Sequence, residues 1–379
     1  MSEIEKHLDV KDRFSNNFDF LRLCAAFLVI FSHSYVLATG SMNGEPLFSL
    51  SGGLFTLGNL GVMIFFVISG YLITSSWLRR PDFSAFFKNR IIRIVPGLFG
   101  VAVVTIFIIG PLVTILPVLD YFKNPSTIWY LHIVTIYYVW GTLPGVFVNN
   151  VYPNVINGSL WILGLLFTMY IVIFLFGIAG ALKRRMLMFF ITFLFALSYL
   201  MNYNSYKNSV TYFASIKPFF ELIQYNKLVW LFSLDLTFGT ILFMIGAIIY
   251  LYRDKIKYDA RLFVILAFLW ILSLQTPFFS LISFIALPYI ILYLAFARLP
   301  YLNKTGKYGD FSYGIYIYAF PIQQSISHFL PGISILNMFL LTSAIVLPVS
   351  ILSYKYIEIR ALKFRNINLK SIFSLNNEH

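Results

Sequence analysis

Hydrophobicity divides the chain into stretches too long and too apolar to be covered by anything except lipid. Apolar runs fall near residues 18–38, 54–77, 95–117, 159–181, 186–202, 230–251, 259–274, 276–297, 311–330 and 334–356. About 20 such residues suffice to cross a bilayer. Lipid offers the backbone no hydrogen-bond partner, so each run is predicted as a helix that satisfies its own N–H and C=O groups. The expected fold class is therefore all-α, a polytopic transmembrane bundle of about ten spans. Hydrophobic residues make up 59% of the 379 residues and charged residues 11%, a balance that excludes an ordinary soluble domain. The aromatic segment TIWYLHIVTIYYVW (127–140) reads as interfacial or re-entrant.

A net charge of +13 raises the question of nucleic acid, and the distribution of that charge answers it. The basic residues sit in short gaps: RRPDFSAFFKNRIIR (79–93), KRR (183–185), RDKIKYDAR (253–261) and RALKFRNINLK (360–370). They follow alternate apolar runs, the pattern of cytoplasmic loops. The expected partner is the lipid bilayer, with no nucleic acid, and both termini are expected in the cytoplasm. The organisation predicted is a cytoplasmic segment at 1–17, one membrane domain at 18–358 and a basic cytoplasmic tail at 359–379. Longer loops near 118–158 and 203–229 face the other side. The first run is too long for a signal-peptide core and is expected to remain as the first span. Cys24 is the one cysteine, so no intrachain disulfide forms. No cluster has metal-ligand spacing, and no phosphate-cradling loop is present.

Two patterns carry chemistry. The first is FDFLRLCAAFLVIFSH (18–33), in which Arg22 precedes His33 by eleven residues. Eleven residues make almost three turns and about 16 Å of rise, so both side chains point to one side of the helix. That side is expected to face the bundle interior or a wet cavity. Arg22 alone also reads as a snorkelling anchor. His33 lies too deep for that, and reads as a structural hydrogen-bonding residue or as a proton acceptor. The second pattern is FFKNRIIRIVPG (86–97), with Arg90 and Arg93 spaced to share a helix face. Guanidinium groups at a cytoplasmic helix start suit phosphate; they also suit topology and lipid headgroups. With Arg22 on the same side, the three can converge on a cytoplasmic ligand with several phosphates.

These motifs, in this order, resemble the acyltransferase-3 family of integral membrane acyltransferases. Arg22 and His33 are followed by GVMIFFVISGYLI (61–73), the pair Arg90 and Arg93, NGSLW (157–161), DFSYGIYIYAFPIQQ (310–324) and YIE (356–358). The resemblance covers nearly the whole length. It implies a bacterial cytoplasmic-membrane enzyme that takes an acyl group, usually acetyl, from cytoplasmic acyl-CoA. The acceptor implied is a hydroxyl on the outer side, mostly of a cell-surface carbohydrate such as a polysaccharide or its lipid-linked precursor. It assigns Arg22, Arg90 and Arg93 to the acyl-CoA phosphates and His33 to catalysis, as general base or as acyl relay. Acyl-CoA is a donor substrate, and no bound cofactor or metal is implied.

The chain departs from the family at Leu166, where many relatives carry a glutamate seven residues after the serine of NGSLW. Asp19 is one substitute acid; it also suits pairing with Arg22 or a helix start. Asp235 is a second, near the outer boundary. Asp310 reads as a helix N-cap, and Glu358 as a partner of nearby Lys or Arg. Supporting or acceptor roles are assigned to Ser69, Asn157, Ser159, Trp161, Tyr313 and Tyr316; the two tyrosines also read as packing. Ser69 and Gly70 permit close helix approach, and Pro321 is expected to kink or end its helix. His132 and His328 read as interfacial. A secondary transporter and a non-catalytic binding subunit are the alternatives, the second kept open by Leu166.

Overall fold

The computed structural model describes residues 16–137, 141–214, 234–299 and 301–363, without the side chains of 202–214, 234–236 and 308. Among the described residues the chain forms long helices where the apolar runs predict them, and no strand. They are α1 (Phe18–Thr39), α2 (Leu57–Arg79), α3 (Phe83–Val113), α4 (Trp161–Ile178), α5 (Arg185–Ala214), α6 (Leu234–Leu251), α7 (Ala260–Ser273), α8 (Phe279–Phe296), α9 (Ser312–Phe329) and α10 (Ile335–Lys363). Single π turns interrupt α3 at Thr105–Ile109 and α10 at Tyr354–Glu358. The described part of the aromatic segment lies in a short α-helix, Pro125–Trp129, and a 3-10 turn, Tyr130–Thr135, instead of a span.

Among the described residues six helices are long and apolar enough to cross a membrane, by length and composition: α1, α2, α3, α4, α8 and α10. The apolar parts of α5, α6 and α7 are shorter. Helix α9 falls short for a different reason. It carries Ser312, Gln323, Gln324 and Ser327, all buried inside the protein. A helix enclosed by other helices does not need a lipid-like surface.

Helix directions follow from the contacts. Phe18 meets Tyr71, and Ser32 faces Gly58, so α1 and α2 are antiparallel. Arg22 meets Asp310, the Ile30 carbonyl accepts from Gln323 and the Leu37 carbonyl from Ser327, so α9 runs beside α1 in the same direction. The start of α1 is pinned by Asn17, whose Nδ2 donates to the Leu294 and Ala297 carbonyls at 2.8 Å each. Those carbonyls end α8 and have lost their helical donors, so the amide satisfies both. Arg185 holds Asp254 at 2.9 Å, joining two of the basic loops at one end of the bundle. The Arg185 guanidinium holds the Asp254 carboxyl below the usual carboxylate range.

Helix α2 is the packing centre. Gly61 lies against the Ala25 backbone, Gly70 against the Phe243 carbonyl, and Gly246 of α6 against the Val67 carbonyl. The backbones touch where side chains would otherwise separate them, as small residues allow in membrane bundles. A Cβ on Gly70 strikes backbone and not a flexible side chain. Gly70→Ala is therefore expected to cost about 1–3 kcal/mol, read as a lower thermal midpoint and a smaller monodisperse fraction in detergent. A wild-type midpoint would contradict the α2–α6 approach.

Candidate functional site

At the end of the bundle where α1, α3 and α9 begin, one carboxylate collects the charge. Asp310 Oδ2 accepts from Arg22 at 2.5 Å and from Arg93, while Arg22 also meets Asp19 at 3.2 Å. Asp310 Oδ1 accepts from the Ser312 hydroxyl at 2.5 Å and the Ser312 N–H at 3.3 Å. The expected cap is not formed: Phe311 holds the N-cap position of α9 without a side-chain cap, and Asp310, one residue earlier, is the counterion of two arginines. It is 1% exposed, against 20% for the Arg22 side chain and 40% for that of Arg93.

Above this cluster lies a cavity of about 710 Å³, within the usual range for small-molecule sites. Its walls include Asp19 and Arg22 of α1, Phe65, Ser69 and Arg79 of α2, Arg90 and Arg93 of α3, Leu166 and Tyr170 of α4, and Tyr313 and Tyr316 of α9. The arginine pair therefore does share one face, as its spacing requires, but its members differ. Arg93 is paired with Asp310. Arg90 is buried, lies 3.4 Å from the centre of the Phe86 ring and donates to the Phe86 carbonyl. It meets no carboxylate among the described residues, and its Nε has no partner. Arg79, exposed at the cavity edge, is a fourth cation that sequence reasoning left among the topology signals.

His33 is on the expected side of α1, since its ring meets Phe320 of α9 edge-on at 5.3 Å. It does not line the cavity, whose α1 wall ends at Arg22. The arginines and the histidine, joined by helical periodicity in the sequence, thus occupy two levels. The cavity ends at Phe65 and Tyr316, whose rings are 5.8 Å apart. His33 makes no hydrogen bond with another described residue. Gln323 brackets it, donating to the Ile30 carbonyl at 2.9 Å and Ser34 Oγ at 3.0 Å.

The NGSLW segment is fastened to α9 at a proline, beside Tyr316 of the cavity wall. Pro321 lies inside α9, which continues to Phe329 and so is not ended by it. Proline brings no N–H to the carbonyl four residues back, which is that of Ile317. Asn157 Nδ2 donates to that carbonyl at 2.8 Å. Ser159 Oγ donates to Asn157 Oδ1 at 2.8 Å, and the Tyr316 hydroxyl donates to the Ser159 carbonyl. Asn157 and Ser159 are buried supports, Tyr316 is both support and cavity wall, and Trp161 opens α4, half-buried.

The remaining candidates divide. Ser69 lines the cavity, as does Tyr170. Tyr313 lines it too, while its hydroxyl donates to the Ile94 carbonyl at 2.6 Å. Asp19 is the acid in the cavity wall, paired as its spacing allows. The Asp235 side chain lies outside the described residues. Glu358 is buried, accepts from Ser353 at 3.3 Å and makes no ion pair among the described residues, which leave out the basic tail beyond 363. His132 is half-buried against the Trp129 carbonyl, and His328 lies 3.3 Å from Asn150. Among the described residues no group of His, Cys, Asp and Glu is arranged to hold a metal.

An all-helical membrane protein with an arginine-lined cavity is the class these observations define. The comparisons narrow it: the family described as Acyltransferase domain, acyltransferase-3, matches residues 15–355, and the chain belongs to that family. An O-acetyl transferase of Shigella phage Sf6 is 29% identical over 364 residues, 92% of this chain and 96% of the relative. Nodulation protein 10 of Rhizobium leguminosarum bv. viciae is 38% identical over 164 residues, 41% of this chain and 42% of the relative. No solved structure matches the chain.

Removing Asn157 leaves the Ile317 carbonyl without its side-chain donor. Asn157→Ala is expected to destabilise by about 1–3 kcal/mol, seen as a lower unfolding midpoint. Asn43→Ala in the exposed loop is expected to leave the midpoint unchanged.

Proposed function

We propose that the protein moves an acetyl group from cytoplasmic acyl-CoA to a hydroxyl of an extracytoplasmic carbohydrate, as a multi-pass enzyme of the bacterial cytoplasmic membrane. In this reading all ten helices of the 18–358 unit cross the bilayer, with segments 1–17 and 359–379 in the cytoplasm. The observation that carries the reading is the cavity walled by Arg22, Arg90 and Arg93 at the end of the bundle where basic loops gather. CoA presents a diphosphate and a phosphomonoester, and guanidinium groups bind such oxygens bidentately. The name of the phage relative supports acetyl as the group and oxygen as the atom that receives it.

In the direct route, the His33 imidazole takes the proton of the acceptor hydroxyl as its oxygen adds to the thioester carbonyl. The C–S bond then breaks, and the thiolate takes the proton back from the imidazolium. The products are an O-acetyl ester and free CoA. In the relay route an imidazole nitrogen attacks the thioester carbon and CoA leaves as the thiolate. The acceptor hydroxyl then attacks the acetyl-imidazole, the C–N bond breaks, and the hydroxyl proton ends on the thiolate. Either route brings the thioester and His33 together past Tyr316 and Phe320. Leu166 contributes no acid to the cavity, so proton transfer rests on His33 and the thiol.

The test is the ester-linked acetyl content of the surface polysaccharide in a deletion strain complemented with wild type or with His33→Ala. Wild type is expected to restore alkali-labile acetyl, and His33→Ala to lower the rate by about 10²- to 10⁴-fold. Full rescue by His33→Ala would remove the base from the mechanism. Arg90, the unpaired cation, is expected to matter directly to the donor. Arg90→Ala should weaken acetyl-CoA binding about 10- to 100-fold, the loss of a charged hydrogen bond, measured by titration of purified protein.

A further inference from the structure

We propose that Asp310 is a positioning residue of the donor site, holding Arg22 and Arg93 as one unit that receives the phosphomonoester of the donor. The inference rests on the acyl-CoA reading and adds a role for a residue that reading does not use.

The geometry is that of a carboxylate behind two cations. Asp310 is 1% exposed and is absent from the cavity wall, whereas both of its arginines line it. One oxygen, Oδ2, takes both guanidinium groups, so the two are held side by side at one point. The other oxygen is tied to Ser312, at the first turn of α9, which fixes the carboxylate itself. A guanidinium has five N–H donors, and Asp310 uses one from Arg22 and one from Arg93. The rest are oriented by a buried anchor instead of by mobile side chains in water. Two guanidinium groups converging on a point suit a phosphomonoester, which gathers three terminal oxygens around one phosphorus. The diphosphate spreads its oxygens over two phosphorus atoms and leaves Arg90, which has no carboxylate partner, as its natural contact. Without Asp310 the two arginines would repel each other, and their shared focus would be lost.

The experiment is calorimetric titration of the purified full chain with CoA and with 3′-dephospho-CoA. Wild type is expected to bind CoA about 10- to 100-fold more tightly, the range for charged hydrogen bonds. Asp310→Asn keeps the side-chain oxygen that faces Ser312 but removes the charge, and is expected to bring this ratio below about threefold at unchanged stoichiometry. Asp310→Glu is expected to recover part of it. A role in folding alone would lower the stoichiometry and leave the ratio intact, and that result overturns the proposal. If Asp310→Asn does not yield folded protein, Ser312→Ala loosens the carboxylate without removing it. Its ratio is expected to fall by a smaller factor, and an unchanged ratio counts against the proposal. Wild type that binds both ligands equally would overturn this inference and leave the donor reading standing. Wild type that binds neither would overturn both.

Discussion

The candidate site depends on one buried carboxylate shared by two arginines. Cations inside a membrane bundle are costly unless paired, and Asp310 makes Arg22 and Arg93 tolerable at the point where α1, α3 and α9 converge. Because the carboxylate is tied to Ser312, the register of α9 and the placement of the charges are one problem. Asn17 extends the arrangement to α8 through the carbonyls it caps. Arg90 stands apart, stacked on Phe86 and free of any carboxylate partner among the described residues. With Arg79 at its edge, the cavity therefore combines a compensated pair of cations with two that meet no carboxylate among the described residues, an arrangement suited to a ligand with more than one phosphate.

A second constraint comes from the backbone. Pro321 deprives the Ile317 carbonyl of its helical donor, and Asn157 supplies another. The segment ahead of α4 is thereby drawn onto α9 and held to Tyr316, a residue of the cavity wall. His33 lies one level further along α1, against Phe320 and bracketed by Gln323. The division into two levels matches a reaction whose donor and acceptor approach from opposite sides of a membrane.

Much of this was legible in the sequence, and the rest was hidden for identifiable reasons. Lipid forces apolar runs to be helices, so the helix positions could be read directly. Helical periodicity put Arg22 and His33 on one side, and their contacts with Asp310 and Phe320 agree. The apolar character of each span was less legible. Helix α9 is enclosed by protein and carries glutamines that a lipid-facing helix would exclude. Asp310 was hidden because an acid ahead of a helix has the same local signature as a cap. Only the packing of α1 and α3 against it reveals the ion pairs. The separation of His33 from the cavity was hidden as well, since helical periodicity fixes the side of α1 but not how far along it a cavity reaches.

The central claim is that the arginine-lined cavity receives acyl-CoA from the cytoplasm. The most direct measurement presents acetyl-CoA to membrane vesicles of defined orientation that contain the protein and the native acceptor, and follows free thiol and acetyl ester together. Thiol release matched by ester formation when the cytoplasmic face is exposed, and neither when the donor meets only the outer face, is the predicted result. Equal use of donor from the outer face, or no thiol release from either face, would contradict the account.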